Sequence, residues 1–201
     1  MPKIVDKEEV QGRIMDAAMS LYSRVGYHTA TISGIAREAG MGKGTIYLYF
    51  DSKEHLTASL ADRIFLGMEG SFTAFPPPTS LDDFASQLTK TMQIDTERAR
   101  FVRVFFEVFG PSFATDEFVK QVAGFFDRLG SYYASQIRRL QDKGEVARDL
   151  DAEMAGRALA AMVDGIILHR GLFAIPATRH KAMIEQAISM TIAGLAMRPA
   201  D

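Results

Sequence analysis

Three glycines and a lysine lie within residues 40–44, and two tyrosines and a phenylalanine follow before residue 51. Such a stretch suits contact with phosphate, because glycines let the backbone approach an anion and a lysine neutralises it. The segment GMGKGTIYLYF therefore suggests two hypotheses. Either its first half cradles the phosphates of a nucleotide, or the whole segment lies on DNA.

The nucleotide hypothesis fails on spacing. A P-loop needs a glycine five residues before its Gly-Lys pair, and Ser or Thr directly after the lysine. Arg37 occupies the first position and Gly44 the second. A dinucleotide fingerprint that began at Gly40 would need glycine where Thr45 stands. Both motifs also follow a β-strand, whereas the preceding IAREAG has a helical pattern.

The same segment meets the steric needs of a helix-turn-helix, in which two helices meet across a tight turn. Ala36 is small enough for close approach of the helices, and Gly40 tolerates the positive φ that the turn requires. Ile46, six residues later, can anchor the second helix to the first, and we assign Ile46 and Phe50 to the core. The spacing favours the DNA hypothesis.

Apolar residues recur at three- and four-residue steps almost throughout, which is typical of helices. Helix one ends at Gly26, Thr31 caps helix two, helix three covers Thr45–Phe50, and helix four follows Asp51 or Ser52. Prolines at 76–78 break the helical pattern. Ser80 begins the next helix, and later helices are predicted at about 95–109, 116–142, 152–174 and 178–197.

This pattern predicts an all-α protein of about nine helices. We expect a three-helix DNA-binding domain at residues 1–53, with residues 1–7 disordered. A larger helical domain for ligand binding and dimerisation should cover residues 54–201, with helix four, about 53–72, as the connector.

Composition limits the function classes. The chain has 201 residues, 47% of them hydrophobic, no cysteine and a net charge of −2. Residues 1–53 carry a net +1 and the remainder −3, which is the right sign for DNA at the N-terminal end but a weak asymmetry. No signal peptide or membrane span is expected, and a reducing cytoplasm fits the cysteine count. The four histidines lack metal spacing, and no G-x-S-x-G motif occurs. We therefore expect no metal, no cofactor and no enzyme.

Residues 29–56, TATISGIAREAGMGKGTIYLYFDSKEHL, resemble the DNA-binding signature of TetR/AcrR-type bacterial transcriptional regulators. A second segment, GEVARDLDAE at 144–153, is similar to one that precedes the dimerisation helices in many members. One departure is Gly42, where the family usually has a serine that caps the recognition helix. The likeness rests on Gly26, Tyr27, Thr31, Ile35, Ala36, Ala39, Gly40, Lys43, Gly44, Thr45, Tyr47, Phe50, Ser52, Lys53 and Glu54.

The resemblance implies that helix three enters the major groove. Lys43 and Leu48 could read base edges, while the other polar residues would contact phosphates. Taken singly, Tyr47 and Tyr49 are explained as well by packing on helix one, and Lys43 by a solvated surface position. The predicted DNA-binding residues are Thr31, Ser33, Lys43, Gly44, Thr45, Tyr47, Leu48, Tyr49 and Lys53.

The larger domain is rich in phenylalanine, which suits an apolar effector pocket as well as an ordinary core. The predicted pocket residues are Phe101, Phe105, Phe109, Phe126, Tyr133, His169 and Phe173. The last two helices are apolar on more than one face, which suggests a four-helix bundle with a second copy or, alternatively, a monomer core. The predicted dimer residues are Leu159, Met162, Ile166, Ile184, Ile188 and Ile192.

These features predict a homodimeric regulator that binds a palindromic DNA operator. We expect a repressor that a small, largely apolar effector releases by favouring a dimer in which helix four has swung. An activator would use the same parts. A helical protein–protein adaptor that has lost DNA binding is a further alternative, because the positive charge is weak and Gly42 lacks a hydroxyl.

Overall fold

The computed structural model describes residues 7–196, except the side chains of residues 72 and 73. The helices of this part are α1 (Lys7–Val25), α2 (Ile32–Glu38), α3 (Lys43–Tyr47), α4 (Lys53–Thr73), α5 (Leu81–Met92), α6 (Thr96–Phe109), a 3₁₀ helix (Gly110–Ala114), α7 (Asp116–Asp142), α8 (Ala152–Leu172) and α9 (Ala177–Leu195). The predicted all-α class is confirmed. The predicted disorder at 1–7 falls outside the described residues except Lys7, which begins α1. None of the described helices has the length and apolar character needed to span a bilayer.

Caps end and begin the helices of the N-terminal region where the sequence predicts them. Gly26 and Gly40 have φ angles of 81° and 67°, a region that favours glycine, and they follow α1 and α2. Thr31 Oγ1 accepts a hydrogen bond of 3.1 Å from the backbone N–H of Gly34 at the start of α2. The short helix α2 is thus closed at both ends by local chemistry.

The third helix is shifted from its predicted position at Thr45–Phe50. Gly42 has an extended conformation (φ −72°, ψ 147°), so α3 begins at the next residue and covers Lys43–Tyr47. The backbone N–H of Leu48 then bonds the carbonyl of Thr45, three residues back, at 3.2 Å. Such tighter bonds are common where an α-helix ends.

The chain divides into two compact units, and the first contains residues 7–67 and 104–119 of the described part. Its boundary lies beyond residue 53, where we predicted it. The reason is packing at the start of α4, where Leu56 and Leu60 are buried and Thr57 Oγ1 lies 2.9 Å from the hydroxyl oxygen of Tyr22 on α1. These α4 residues complete the core of the N-terminal helices.

The second unit contains residues 68–103 and 120–196 of the described part. Its helices pack closely: a Cβ added to Gly156 of α8 would lie 2.5 Å from the carbonyl oxygen of Gly130 and 2.6 Å from the backbone nitrogen of Ala134, both on α7. His180 Nε2 of α9 lies 2.9 Å from the carbonyl oxygen of Met92 at the end of α5. These contacts join four helices of the unit.

Candidate nucleic-acid interface

The turn between α2 and α3 has the predicted helix-turn-helix geometry. Ala36 on α2 and Ile46 on α3 are buried, with 3% and 0% of their surfaces exposed. Between them Gly40 adopts positive φ, and the backbone N–H of Met41 bonds the carbonyl of Ala36 at 2.9 Å. The buried anchor holds α3 by one face and leaves the opposite face to solvent.

That opposite face carries the predicted readout residues. Leu48 is 80% exposed and Tyr47 is 46% exposed, so Tyr47 does not pack into the core. Lys43 Nζ lies 5.8 Å from the centroid of the Tyr47 ring. Gly44 is also exposed, and a Cβ there would meet no atom within 4 Å. A cation beside exposed large apolar side chains is typical of a contact surface.

The flanking predicted residues are less uniform. Thr45 and Tyr49 are half-buried, whereas Thr31 and Ser33 at the start of α2 are exposed. The hydroxyl of Thr31 accepts one hydrogen bond as a cap and retains its own O–H to donate. Phosphate contact by these four side chains stays a prediction.

Lys53 has partners that the sequence did not indicate. Its Nζ donates to the carbonyl oxygens of Tyr27 and Ala30 at 3.1 and 3.2 Å. The ammonium also lies 4.2 Å from the centroid of the Tyr27 ring. No local pattern predicts this arrangement, because 26 residues separate Lys53 from Tyr27 and only the packing of α4 brings them together.

Arg37 is a second residue that we did not single out as a candidate for DNA contact. It is exposed on α2, four residues after the exposed Ser33, so both lie on one face of the helix. That spacing was visible in the sequence and places a cation beside the predicted phosphate contacts.

Gly42 caps α3 without a side-chain hydrogen bond. Its φ and ψ suit any residue, and an added Cβ would meet only Thr45 Oγ1 at 3.7 Å, an ordinary contact. We expect Gly42→Ser to raise the free energy of unfolding by a few tenths of a kcal/mol, because serine is the better N-cap. Gly42→Ala should lower it, since alanine caps poorly. Urea denaturation measures both, and a gain in both variants would contradict the capping explanation.

The predicted pocket residues are dispersed, which corrects part of that prediction. Phe101, His169 and Phe173 are exposed in this chain. On α6 it is Val102 that faces α8, since a Cβ added to Gly171 would lie 2.5 Å from Val102 Cβ. Phe101, one position earlier on the helix, therefore points elsewhere. The apolar pattern of α6 was correct, but its inward face was assigned one residue away.

Phe105 and Phe109 belong to the first unit, where their ring centroids are 4.7 Å apart. In the second unit Phe126 is half-buried, and Tyr133 lines a recess of about 230 Å³. The hydroxyl of Tyr133 is buried without a hydrogen-bond partner, and burial raises its pKa, so the phenol is neutral. The lining residues are Phe75, Phe84, Gln87, Leu88, Thr91, Tyr132 and Tyr133.

Three of the predicted dimer residues are also corrected. Leu159, Ile166 and Ile184 are buried inside this chain, with 6%, 7% and 1% of their surfaces exposed. Met162, Ile188 and Ile192 are half-buried. Apolar residues cover more than one face of α8 and α9, and the pattern alone does not say which face packs against the chain's own core.

An exposed α3 on a buried anchor, with capped helices on either side, defines a helix-turn-helix DNA-binding protein. Residues 14–60 match the bacterial regulatory proteins of the tetR family. Residues 83–193, more than half of the chain, match the C-terminal region of BetI-type transcriptional repressors. The chain belongs to the TetR family, and the prediction of a DNA-binding transcriptional regulator is confirmed.

Individual relatives agree with this assignment. The chain is 31% identical over 145 residues to the HTH-type transcriptional repressor KstR from Rhodococcus jostii, which covers 71% of this chain and 68% of that protein. It is 23% identical over 163 residues to the HTH-type transcriptional regulator UidR from Escherichia coli, which covers 81% and 82%. A regulator from Saccharomonospora viridis, solved in complex with choline, has the same fold, with a TM-score of 0.73, 24% identity and coverage of 95% and 100%.

Proposed function

We propose that this chain is a homodimeric repressor that acts in the cytoplasm on a near-palindromic operator and leaves it when a small effector binds the second unit. The observation that carries the proposal is the row of exposed side chains on α3, Lys43, Tyr47 and Leu48, above the buried Ile46. A helix fixed from behind can enter the major groove with its free face intact.

The exposed side chains differ in what they can bind. Lys43 can donate to a guanine edge or to a phosphate, and Leu48 can contact a thymine methyl group. Gly44 adds no side chain, so the backbone of α3 can approach the DNA closely. Tyr47 presents a hydroxyl that suits a phosphate oxygen and sets the register of the helix.

Dimerisation follows from α9. Only three of its nineteen residues, His180, Ile184 and Leu195, are buried in the single chain, although the sequence of the helix is largely apolar. Met190, for example, is 66% exposed. Apolar surface of this extent is typical of a subunit contact. With α8 and their symmetry mates, the two helices would form a four-helix bundle.

A twofold dimer explains the kind of operator. Two copies of α3 about 34–36 Å apart would enter successive major grooves and read two half-sites of opposite orientation. An effector that binds more tightly to a dimer with another spacing shifts the population towards that state and releases the DNA.

The recess beside Tyr133 supports a small, largely apolar effector. Five of its seven lining residues are aromatic or apolar, and none is charged. Its volume lies below the roughly 300–1,000 Å³ of typical ligand pockets, so a drug-sized molecule would have to open it further. The free hydroxyl of Tyr133 could bond one polar atom of such a molecule.

The proposal is tested by selecting bound duplexes from a random-sequence pool with the wild-type protein. We expect enrichment of a palindromic site whose binding weakens steeply with salt, because phosphate contacts release counterions. Compounds that raise the melting temperature are then tested with and without this DNA. Enrichment of no site at low salt would contradict the DNA-binding proposal, and equal compound affinity in both states would contradict release by an effector.

A further inference from the structure

The ammonium of Lys53 is almost fully occupied by its own chain. It donates to the carbonyls of Tyr27 and Ala30, and it lies against the Tyr27 ring. An ammonium has three N–H donors, so two are used on carbonyls while the ring covers part of the remaining surface. The side chain is half-buried, unlike the exposed Lys43.

These contacts join two segments that are distant in sequence. Lys53 is the first residue of α4, and its partners lie in the loop between α1 and α2. The neighbouring Glu54 accepts a hydrogen bond of 3.5 Å from the Tyr27 hydroxyl. The ring of Tyr22, which is tied to α4 through Thr57, meets the Tyr27 ring edge-on with a centroid distance of 5.5 Å. The loop is therefore held from two sides.

We propose that Lys53 is a positioning residue for operator binding and not a phosphate contact. The loop it holds ends at Thr31, the cap of α2, and α2 carries α3 through the helix-turn-helix. Fixing this loop to α4 therefore sets where both helices present their exposed faces. The inference rests on the proposed function, because operator binding is its principal readout.

Salt dependence separates the two roles. Full-length Lys53→Met is compared with wild type and with Lys43→Met, a matched loss of one positive charge, on the selected duplex at several salt concentrations. We expect Lys53→Met to weaken binding about tenfold or more, since it removes two charge-assisted hydrogen bonds, with an unchanged salt slope. For Lys43→Met, loss of a phosphate contact would reduce the slope by about one per protomer, so by about two per dimer. An equal reduction for Lys53→Met would overturn the proposal.

Tyr27→Leu gives a second test, because it removes the ring and leaves the ammonium. We expect it to weaken binding as Lys53→Met does, and the double variant to be little worse than either single one, since both disturb one contact. Wild-type affinity in Tyr27→Leu would overturn the proposal. Far-UV circular dichroism checks that each variant is folded.

Hydrogen exchange tests the positioning role without DNA. The amide of Ala30 bonds the Gly26 carbonyl at 3.2 Å within the held loop. We expect its exchange to accelerate in Lys53→Met but not in Lys43→Met. Unchanged exchange would overturn the positioning role even if operator binding fell. Failure of the wild-type protein to select any DNA site would instead count against the proposed function alone.

Discussion

Replacing Lys43 and Tyr47 together by alanine is expected to abolish specific operator binding while the chain stays folded. Both side chains are exposed on α3, on the face opposite the buried Ile46, so the substitution leaves the anchor of the helix intact. A dimer loses four contacts at once. With about 1–3 kcal/mol for each good base contact and less for a phosphate contact, a loss of at least about 100-fold is expected.

The measurement is the same selection from random DNA, followed by titration of the site that the wild type enriches. Lys120→Ala is the control, because it removes one exposed positive charge from the second unit. Stability of the double variant should change by no more than about 0.5 kcal/mol, as for most surface substitutions. Enrichment of the same site by the double variant would show that α3 does not read it.

The second large effect is on stability. Gly156→Ala should lower the free energy of unfolding by about 3 kcal/mol, the upper range for an overpacked core. The added Cβ would lie 2.5 Å from the Gly130 carbonyl oxygen and within 3 Å of the Ala134 backbone. Backbone atoms cannot rotate aside as a side chain can, so α7 and α8 would have to separate.

Gly67→Ala on α4 is the matched control. It adds the same methyl group to an exposed helical position with nothing within 4 Å. We expect it to stabilise the chain by up to about 1 kcal/mol, because alanine favours the helix over glycine. Urea denaturation measures both variants. A small loss for Gly156→Ala would mean that α7 and α8 can separate at little cost.

Much of the N-terminal region could be predicted because its requirements are local. A small residue at 36, a glycine at 40 and an apolar anchor at 46 constrain one turn through atoms only a few residues apart. The same holds for Thr31, whose hydroxyl meets an amide three residues later. Helix number, most helix ends and the family therefore followed from the sequence alone.

Tertiary structure decided what lies against what. Periodicity shows that a helix has apolar faces, but Leu159 and Ile184 show that it does not say whether a face meets its own chain or a second copy. In the same way, the side chain of Lys53 is ordinary in sequence and acquires its role only when α4 brings it to Tyr27. Local sterics act over a few bonds and can be read along the chain, whereas burial and long-range hydrogen bonds depend on how distant helices pack.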